Sequence, residues 1–466
     1  MPAALLALFP FVNHALFRTY ALDLGFYTHA LFDYRRFQWA DNNMIMAVFE
    51  NHLAGHFDLY LPLFSPLTWA FGSRTLLTVQ WLAVLFGGVG IRRFFEPGDW
   101  RMALLAQWAF YSFYGIHNAL GFDYHSNVVA ACLLPWLFLA LHKNELKKAA
   151  FWGLLIIVAK ENMSLWLVFV FTALAWQYRF DLRRRNWSLK AAGIAAVYFI
   201  LISMWIIPAL SQTDEYRGFL YSQLGDSPLE TLVYLFQFPG HSFKLLYYAD
   251  IRDALPDPWK LELHRFILFS GGWLLLFQPK WIWMILPIYA QKLWHDNPYI
   301  WGIGGQYSVE FTPILILGAF SVVLKISSAR RWVVAVLLMS GLIFISAQNM
   351  DETEVFNEKS RIRIFSSEHY RNEVLDVEAV QRLLEQIPEA AAVSAQSPFV
   401  PHLALREHCF QFPLIRQSEY LLISPAVGSY PLSWECYEEV INEQLTSGQW
   451  KEVGTEGGAS LYQRID

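Results

Sequence analysis

Charged side chains are scarce in this sequence. Asp, Glu, Lys and Arg make up 16% of its 466 residues, whereas a soluble globular domain carries about a quarter. Hydrophobic residues account for 55% of the chain and aromatic residues alone for 17%. This composition excludes a wholly soluble protein, and we expect a protein that is integral to a membrane.

Several motifs of well-known enzyme classes are also missing. The chain has no P-loop, no GxSxG turn, no CxxC, no HExxH and no GxGxxG, so common nucleotide, hydrolase and zinc chemistries lack support. Nucleic-acid binding is not expected, because the exposed end of the chain is acidic. The three cysteines are Cys132 in an apolar run, and Cys409 and Cys436, which could pair outside the cell.

Long apolar runs bounded by charges and by Trp or Tyr are typical of membrane spans. Nine runs, with two short passes inside 149–178, predict about eleven transmembrane helices. A shorter apolar piece, 61–71, is expected to dip into the bilayer or to lie on it. The nine runs are 3–17, 75–91, 102–118, 127–142, 189–209, 264–279, 281–294, 309–326 and 332–348.

The positions of Lys and Arg predict the orientation. Of the 26 basic residues in 1–350, 15 fall in loops on one side, which we expect to be cytoplasmic. One helix over 149–178 would move Arg183–Arg185 to the other side, so this stretch is divided into two passes that meet at Lys160-Glu161-Asn162. The N-terminus is then cytoplasmic, and the long loops 18–60 and 211–262 lie outside.

The end of the chain differs from the rest in charge. Residues 351–466 carry 9 basic and 19 acidic residues, against 26 and 21 in 1–350. This shift predicts two domains, 1–348 in the membrane and 349–466 outside it, and the second is long enough to fold alone. Its pattern predicts helices at 375–387 and 433–446, strands at 391–396, 408–412 and 420–424, and a hairpin at Gly457-Gly458.

The predicted fold is therefore an all-α polytopic membrane bundle with a small soluble α/β domain at its C-terminal end. Polar residues inside the bundle are candidates for function, because burying them is costly unless they face a cavity or one another. Lys160 and Glu161 are such residues, although a salt bridge that only pins two helices would also explain them.

Histidines in the first outer loop are candidates for metal binding. His52 and His56 are four residues apart and would share a face of a helix. With Glu50 or Asp58 they could hold a metal. Loop histidines without a ligand are the simpler alternative.

Six segments carry a resemblance to a known family. In order along the chain they are ALDLGFYTHALFDY, HFDLYLPLFSPL, FDYHSN, AKEN, QYSVEFTPIL and VSAQSPFVPHLALREHCFQFP. With them the chain resembles a family of uncharacterised bacterial membrane proteins defined as a domain of unknown function, which is grouped with the GT-C superfamily of polytopic glycosyltransferases. The resemblance implies a multi-pass protein of the bacterial cytoplasmic membrane, which takes a sugar from a polyprenyl-phosphate donor at the outer face. The acceptor would be a glycan, a lipid or a protein of the cell envelope.

The resemblance also implies site residues. GT-C enzymes keep an acidic residue just after the first helix, and Asp23 occupies that place, so Asp23 would be the catalytic base. Lys160 or a divalent ion, Mg²⁺ or Mn²⁺, would stabilise the leaving phosphate. The second acid often found beside the first is absent, since Leu24 and Gly25 follow Asp23, and this leaves metal dependence open. The residues expected to bind substrate are His56, Asp58, His125, Lys160, Glu161 and Tyr307.

Structural roles would also explain several of these residues. Asp23 could cap the next helix, His125 could bond to a neighbouring loop, and Tyr307 and Glu310 could anchor a span at the interface.

Two residues of the acidic C-terminal part, His402 and Arg406, are expected to be structural surface residues rather than ligands.

Two other classes of function remain open at this point. A transporter or flippase would also bury polar residues, but it is expected to show paired broken helices in matching repeats, and no second broken hairpin is evident. A non-catalytic membrane scaffold would use its extracytoplasmic domain for binding and would not need the acidic first loop.

Overall fold

The computed structural model of the protein describes residues 2–39, 41, 43–46, 51–211, 218–352 and 359–465. A helical body comes first and a small domain with a β-sheet follows. The helices of the body are α1 (Pro2–Ala15), α2 (Phe26–Arg35), α3 (His52–Gly55), α4 (Tyr60–Phe64), α5 (Thr68–Phe71), α6 (Thr75–Phe95), α7 (Trp100–Tyr111), α8 (Tyr114–Gly121), α9 (Ser126–His142), α10 (Leu146–Ile157), α11 (Glu161–Gln177), α12 (Leu182–Leu201), α13 (Ile207–Leu210), α14 (Pro228–Gln237), α15 (Pro239–Lys244), α16 (Pro258–Phe269), α17 (Pro279–Leu293), α18 (Phe311–Val323) and α19 (Ser328–Glu352).

Three helical stretches of the described residues are long and apolar enough to cross a membrane: Tyr60–Phe95, Leu182–Leu210 and Ser328–Glu352. Shorter apolar helices include α1, α9 and α18. The larger number of about eleven spans remains a prediction. The run 149–178 is divided where the sequence suggested, because α10 ends at Ile157 and α11 begins at Glu161.

Three predicted segments differ from the structure. The run 102–118 is divided into α7 and α8, and the run 264–279 contains the end of α16 followed by a 3₁₀ turn, Gly272–Phe277. Gly271 marks this second break with a φ of 97°, a backbone conformation that favours glycine. The piece 61–71 is not separate, because short helical turns join it to α6.

The bundle is tightly packed around α6. A Cβ atom added at Gly87 would lie 3.0 Å from Cys132 of α9, and one added at Gly88 would lie 2.3 Å from the ring of Tyr111. Small residues allow helices to approach closely in membranes. These two glycines therefore allow α6 to pack closely against α9 and α7.

The loop after α6 and the loop before α19 meet at the end of α6 that is distant from α1. α6 begins beside the end of α1, where Ser73 contacts His14, and its 21 residues extend about 30 Å. Near the other end, Arg331 pairs with Asp99 at 3.4 Å. Which end of α6 faces the cytoplasm remains a prediction from the positive-inside rule.

We predict that alkaline phosphatase fused after Asp466 is active, because the alternation of spans that keeps Arg183–Arg185 inside puts the C-terminal domain outside. A green fluorescent protein fused at the same place should be dark, and one fused in the basic loop at Asn144 should fluoresce. An inactive phosphatase with a fluorescent protein at the C-terminus would contradict the whole loop assignment.

The C-terminal domain, which we call the tail (residues 359–465), contains one five-stranded sheet in the order β2-β1-β3-β5-β4. β1 pairs with β2 and β3 in parallel, while β5 pairs with β3 and β4 antiparallel. The predicted helices, strands and hairpin of the tail are confirmed. Their bounds are α20 (Val377–Glu385), β1 (Val393–Ala395), α21 (Val400–Leu403), β2 (Cys409–Gln411), β3 (Tyr420–Ile423), α22 (Trp434–Thr446), β4 (Trp450–Glu456) and β5 (Ala459–Arg464).

The apolar core of the tail continues into the segment of the body between α1 and α4. The backbone N–H of Gln411 in β2 also donates a hydrogen bond to the carbonyl of Met44, at 2.7 Å. The domain boundary at 349 remains a prediction, but an isolated tail would expose this shared core. The loop side chains that complete the core are Phe17, Ala21, Phe26, Met44 and Ile45.

Candidate functional site

Asp23 lies in a π-helical turn, Ala21–Gly25, that directly follows the first helix and leads into α2. Such turns are rare and are frequent at functional sites. The N-cap residue of the turn is Tyr20 and the N-cap residue of α2 is Gly25. Asp23 therefore occupies neither capping position.

The turn is docked on the tail. The backbone N–H of Ala21 donates a hydrogen bond to Ser397 Oγ at 3.1 Å. A Cβ atom at Gly25 would lie 2.9 Å from Val400, so the absence of a side chain permits this close approach. The turn and the carboxyl end of β1 are therefore held together.

The pKa of the Asp23 carboxyl is raised from its ordinary 3.8 to about 7. Burial is the main cause and the nearby Asp123 carboxylate is the second, while Lys160 and Arg361 counteract part of the shift. The Asp23 side chain is nevertheless 23% exposed. An accessible carboxyl that titrates near neutral pH is suited to general-base chemistry.

Asp23 faces a cavity of about 690 Å³ between the body and the tail. Both parts of the chain contribute polar and aromatic side chains to its wall. The lining residues are Phe17, Arg18, Tyr20, Leu22, Asp23 and Phe122 of the body, and Ser360, Glu368, Asn372, Glu373, Val374, Ser397, Pro398, Ala426, Val427, Gly428 and Tyr430 of the tail.

His125 lies beside Asp23, with 3.9 Å between His125 Nε2 and Asp23 Oδ1. Burial and the charge of Lys160 hold the pKa of His125 well below its ordinary value, so the ring is neutral. Its Nε2 atom is buried and has no hydrogen-bond partner in the described part of the chain. The backbone N–H of His125 donates to Gln80 Oε1 at 2.9 Å, which fixes the loop.

Glu161 orients a second histidine, His56. The Glu161 carboxylate is 2% exposed and lies 3.0 Å from His56 Nδ1, and it also accepts the backbone N–H of Phe57 at 3.1 Å. A carboxylate can only accept, so Nδ1 carries the proton and Nε2 is left free. Glu161 therefore satisfies its buried charge within the protein and positions His56.

Lys160 acts electrostatically on most of the candidate site residues. Its side chain is partly buried, and it makes no hydrogen bond or ion pair with the residues that the structure describes. An ammonium left in this way is available for an anionic ligand. Its charge acts on Asp23, His56, Asp58, His125, Glu161 and Glu310.

Asp58 and Tyr307 complete the set of predicted residues. Asp58 Oδ1 accepts the backbone N–H of Tyr60 at 2.7 Å, and Ser126 donates to the same carboxyl. Tyr307 is near enough to Asp23 for the carboxylate to raise the pKa of its phenol, which burial brings to about 12. The structure thus places all seven predicted residues in one region, although Asp58 has local structural partners.

Two further residues, Asp123 and Arg361, were not selected from the sequence. Arg361 Nη2 lies 3.0 Å from Asp123 Oδ1, and both side chains are buried. The second oxygen of Asp123 accepts the N–H of Tyr20 at 2.9 Å. Asp123 belongs to the FDYHSN segment, so its position two residues before His125 could have identified it as a site residue. Arg361 is 238 residues from Asp123 along the chain, and no sequence signal linked the two.

The hypothesis that the loop histidines bind zinc gains no support. His52 is 1% exposed and is surrounded by the rings of Phe26, Tyr27 and Tyr34. His56 instead pairs with Glu161. Glu50 lies outside the described residues. Within those residues, no group of three His, Cys, Asp or Glu side chains is arranged to hold a metal ion.

Two expectations for the tail were wrong. His402 and Arg406 are not surface residues: the His402 ring stacks on His14 at 4.1 Å, and Arg406 is 9% exposed and donates to three backbone carbonyls. His402 is buried against the body and Arg406 is buried within the tail, and neither contact could be seen from the local sequence. Cys409 and Cys436 are both free.

Comparison with known proteins identifies the family. The model of DUF2079, described as a predicted membrane protein, matches residues 13–461. No curated protein matches the chain. The match includes the first outer loop, the bundle and the tail, so the protein belongs to the DUF2079 family of predicted membrane proteins.

Proposed function

We propose that the protein is an integral membrane glycosyltransferase of the bacterial cytoplasmic membrane. It transfers a sugar from a polyprenyl-phosphate donor at the outer face to a glycan, lipid or protein acceptor. One observation carries the proposal: Asp23 lines an open cavity where burial raises the pKa of its carboxyl to about 7, in the electrostatic range of Lys160, an ammonium with no partner among the described side chains.

Asp23 is the general base of this reaction. Its carboxylate takes the proton of an acceptor hydroxyl while the hydroxyl oxygen forms a bond to the anomeric carbon of the sugar. The bond from that carbon to the phosphate oxygen breaks, and polyprenyl phosphate leaves with the electron pair. The Lys160 ammonium stabilises the negative charge that develops on the leaving phosphate.

Two histidines support these roles. His125 is a positioning residue, because its neutral ring lies against the Asp23 carboxyl and helps to exclude water. His56, oriented by Glu161, presents its free Nε2 to the donor side. A divalent ion would supply further positive charge, but the described residues form no group of three ligands for it, and no step is assigned to a metal.

We predict that Lys160→Ala weakens the use of the donor about 10²-fold and the use of the acceptor much less, since it removes the cation and leaves the base. Membranes with the variant are assayed with radiolabelled polyprenyl-phosphate sugars, and kcat/KM is measured for each substrate. Lys190→Ala, in an exposed basic position at the other end of the bundle, is the matched control. Equal losses for donor and acceptor would contradict the role of Lys160.

A further inference from the structure

The parallel part of the tail sheet contains a topological switch point. β1 lies between β2 and β3. The chain therefore runs from β1 to β2 on one side and then crosses β1 to form β3 on the other side. Chains that diverge in this way open a crevice outside the carboxyl ends of the two strands, and in open α/β sheets this crevice is where ligands bind. In the order β2-β1-β3 the crevice lies at the ends of β1 and β3.

The cavity in front of Asp23 coincides with this crevice. Ser397 and Pro398, which follow β1, form part of its wall, and the segment 426–428, which follows β3, forms another part. Asp23 and Phe122 of the body line the same cavity. The carboxyl ends of β1 and β3 therefore lie at the same cavity as Asp23, the proposed general base.

The charges around the cavity disfavour an anionic ligand. Its lining contains three carboxyl groups, of Asp23, Glu368 and Glu373, and one guanidinium, of Arg18. The guanidinium is already engaged, because it donates to the carbonyls of Glu368 and His369 at 3.0 Å each. A phosphate in this cavity would meet net negative charge.

The remaining lining groups suit a hydroxylated molecule. Ser360 and Ser397 offer hydroxyl groups, and the exposed ring of Tyr430 offers an apolar face. Hydroxyl groups beside a flat ring match the hydroxyls and the C–H faces of a sugar.

We infer that the crevice at the ends of β1 and β3 is a binding subsite for a neutral or amino-bearing carbohydrate. Where the proposed function holds, this carbohydrate is the acceptor, and the donor phosphate binds on the other side of Asp23, at Lys160. The binding itself rests only on the cavity and its lining.

Gly428 allows the subsite to be blocked without disturbing the fold. A side chain added there meets no atom within 4 Å at its first carbon, and the same holds for Gly240 in α15, which is outside the cavity. Gly428 lines the cavity, so we expect Gly428→Trp to obstruct it, and Gly240→Trp is the matched control. Tyr430→Ala, which removes an exposed ring from the wall, is a second variant that adds no bulk.

The test is binding of the full chain, in lipid nanodiscs, to an array of neutral, amino-bearing and anionic glycans. We expect the wild-type protein and Gly240→Trp to bind neutral or amino-bearing glycans, with a loss of at least about tenfold in Gly428→Trp and Tyr430→Ala. Binding to anionic glycans only, binding to none, or equal binding by all four proteins would overturn the subsite.

This readout is independent of sugar transfer. Glycan binding that is lost in Gly428→Trp, in a protein that transfers no sugar, would keep the subsite and reject the glycosyltransferase. Transfer that depends on Asp23 but is unchanged in Gly428→Trp and Tyr430→Ala would keep the enzyme and reject the subsite as its acceptor site.

Discussion

Asp23→Asn is expected to lower the rate of sugar transfer by about 10²–10⁴-fold, while the protein still inserts into the membrane at the wild-type level. The amide keeps the shape of the carboxyl and cannot accept the proton of the acceptor. Transfer from a labelled polyprenyl-phosphate sugar in isolated membranes measures the rate, and immunoblotting measures the amount of protein.

The control for this variant is Asp226→Asn, which makes the same change at an exposed residue of the loop 211–262. It should transfer sugar at the wild-type rate. Full complementation of a deletion strain by Asp23→Asn would show that Asp23 is not the base, and the glycosyltransferase proposal would lose its main support.

The pH dependence of the wild-type rate checks the same assignment. Only the deprotonated carboxyl acts as a base, and burial raises the pKa of Asp23 to about 7. The value of kcat/KM should therefore rise about tenfold per pH unit below pH 7 and level off above it. An acid limb near pH 4, the ordinary range of a carboxyl, would contradict the raised pKa.

Arg361→Met should destabilise the protein by about 3–5 kcal/mol, because it leaves the Asp123 carboxylate buried without its charged partner. The pair connects the tail to the outer end of the body, so we expect the tail to become sensitive to protease before the bundle unfolds. Limited proteolysis and the thermal midpoint in detergent measure the two effects.

A matched control distinguishes this buried pair from a surface pair. Arg363 lies two residues further along and pairs with Asp351 and Glu368, which are 69% and 49% exposed, so Arg363→Gln should change stability by less than about 1 kcal/mol. The double variant Asp123→Asn/Arg361→Gln removes both charges and should recover part of the loss. Equal effects of Arg361→Met and Arg363→Gln would mean that the buried pair does not hold the tail.

Local patterns predicted the tail well. Strands such as β1 and β3 are short apolar runs between turn residues, and the hairpin is marked by Gly457 and Gly458, which both have positive φ. These signals lie within a few residues of the elements they define. The spans were predicted less well, because hydropathy averaged over a long window does not register a break such as the one at Gly271.

Long-range partners account for most of what the sequence could not show. The seven candidate residues were grouped by an assumed orientation, which gave their common region but not their contacts. The pair of Asp123 with Arg361 depends on how the tail docks, as does the burial of His402 against His14. No periodic pattern records contacts of this kind.

The shared core of the tail and the first outer loop has a consequence for biosynthesis. Ala21 leaves the ribosome early, yet the serine that holds it is 376 residues further along the chain. The turn that carries Asp23 therefore cannot reach its final packing until nearly the whole chain has been made. A chain that stops before β1 would insert its helices and keep Asp23, but it would lack the surface against which the turn is held. Completion of translation thus becomes a condition for assembling this site.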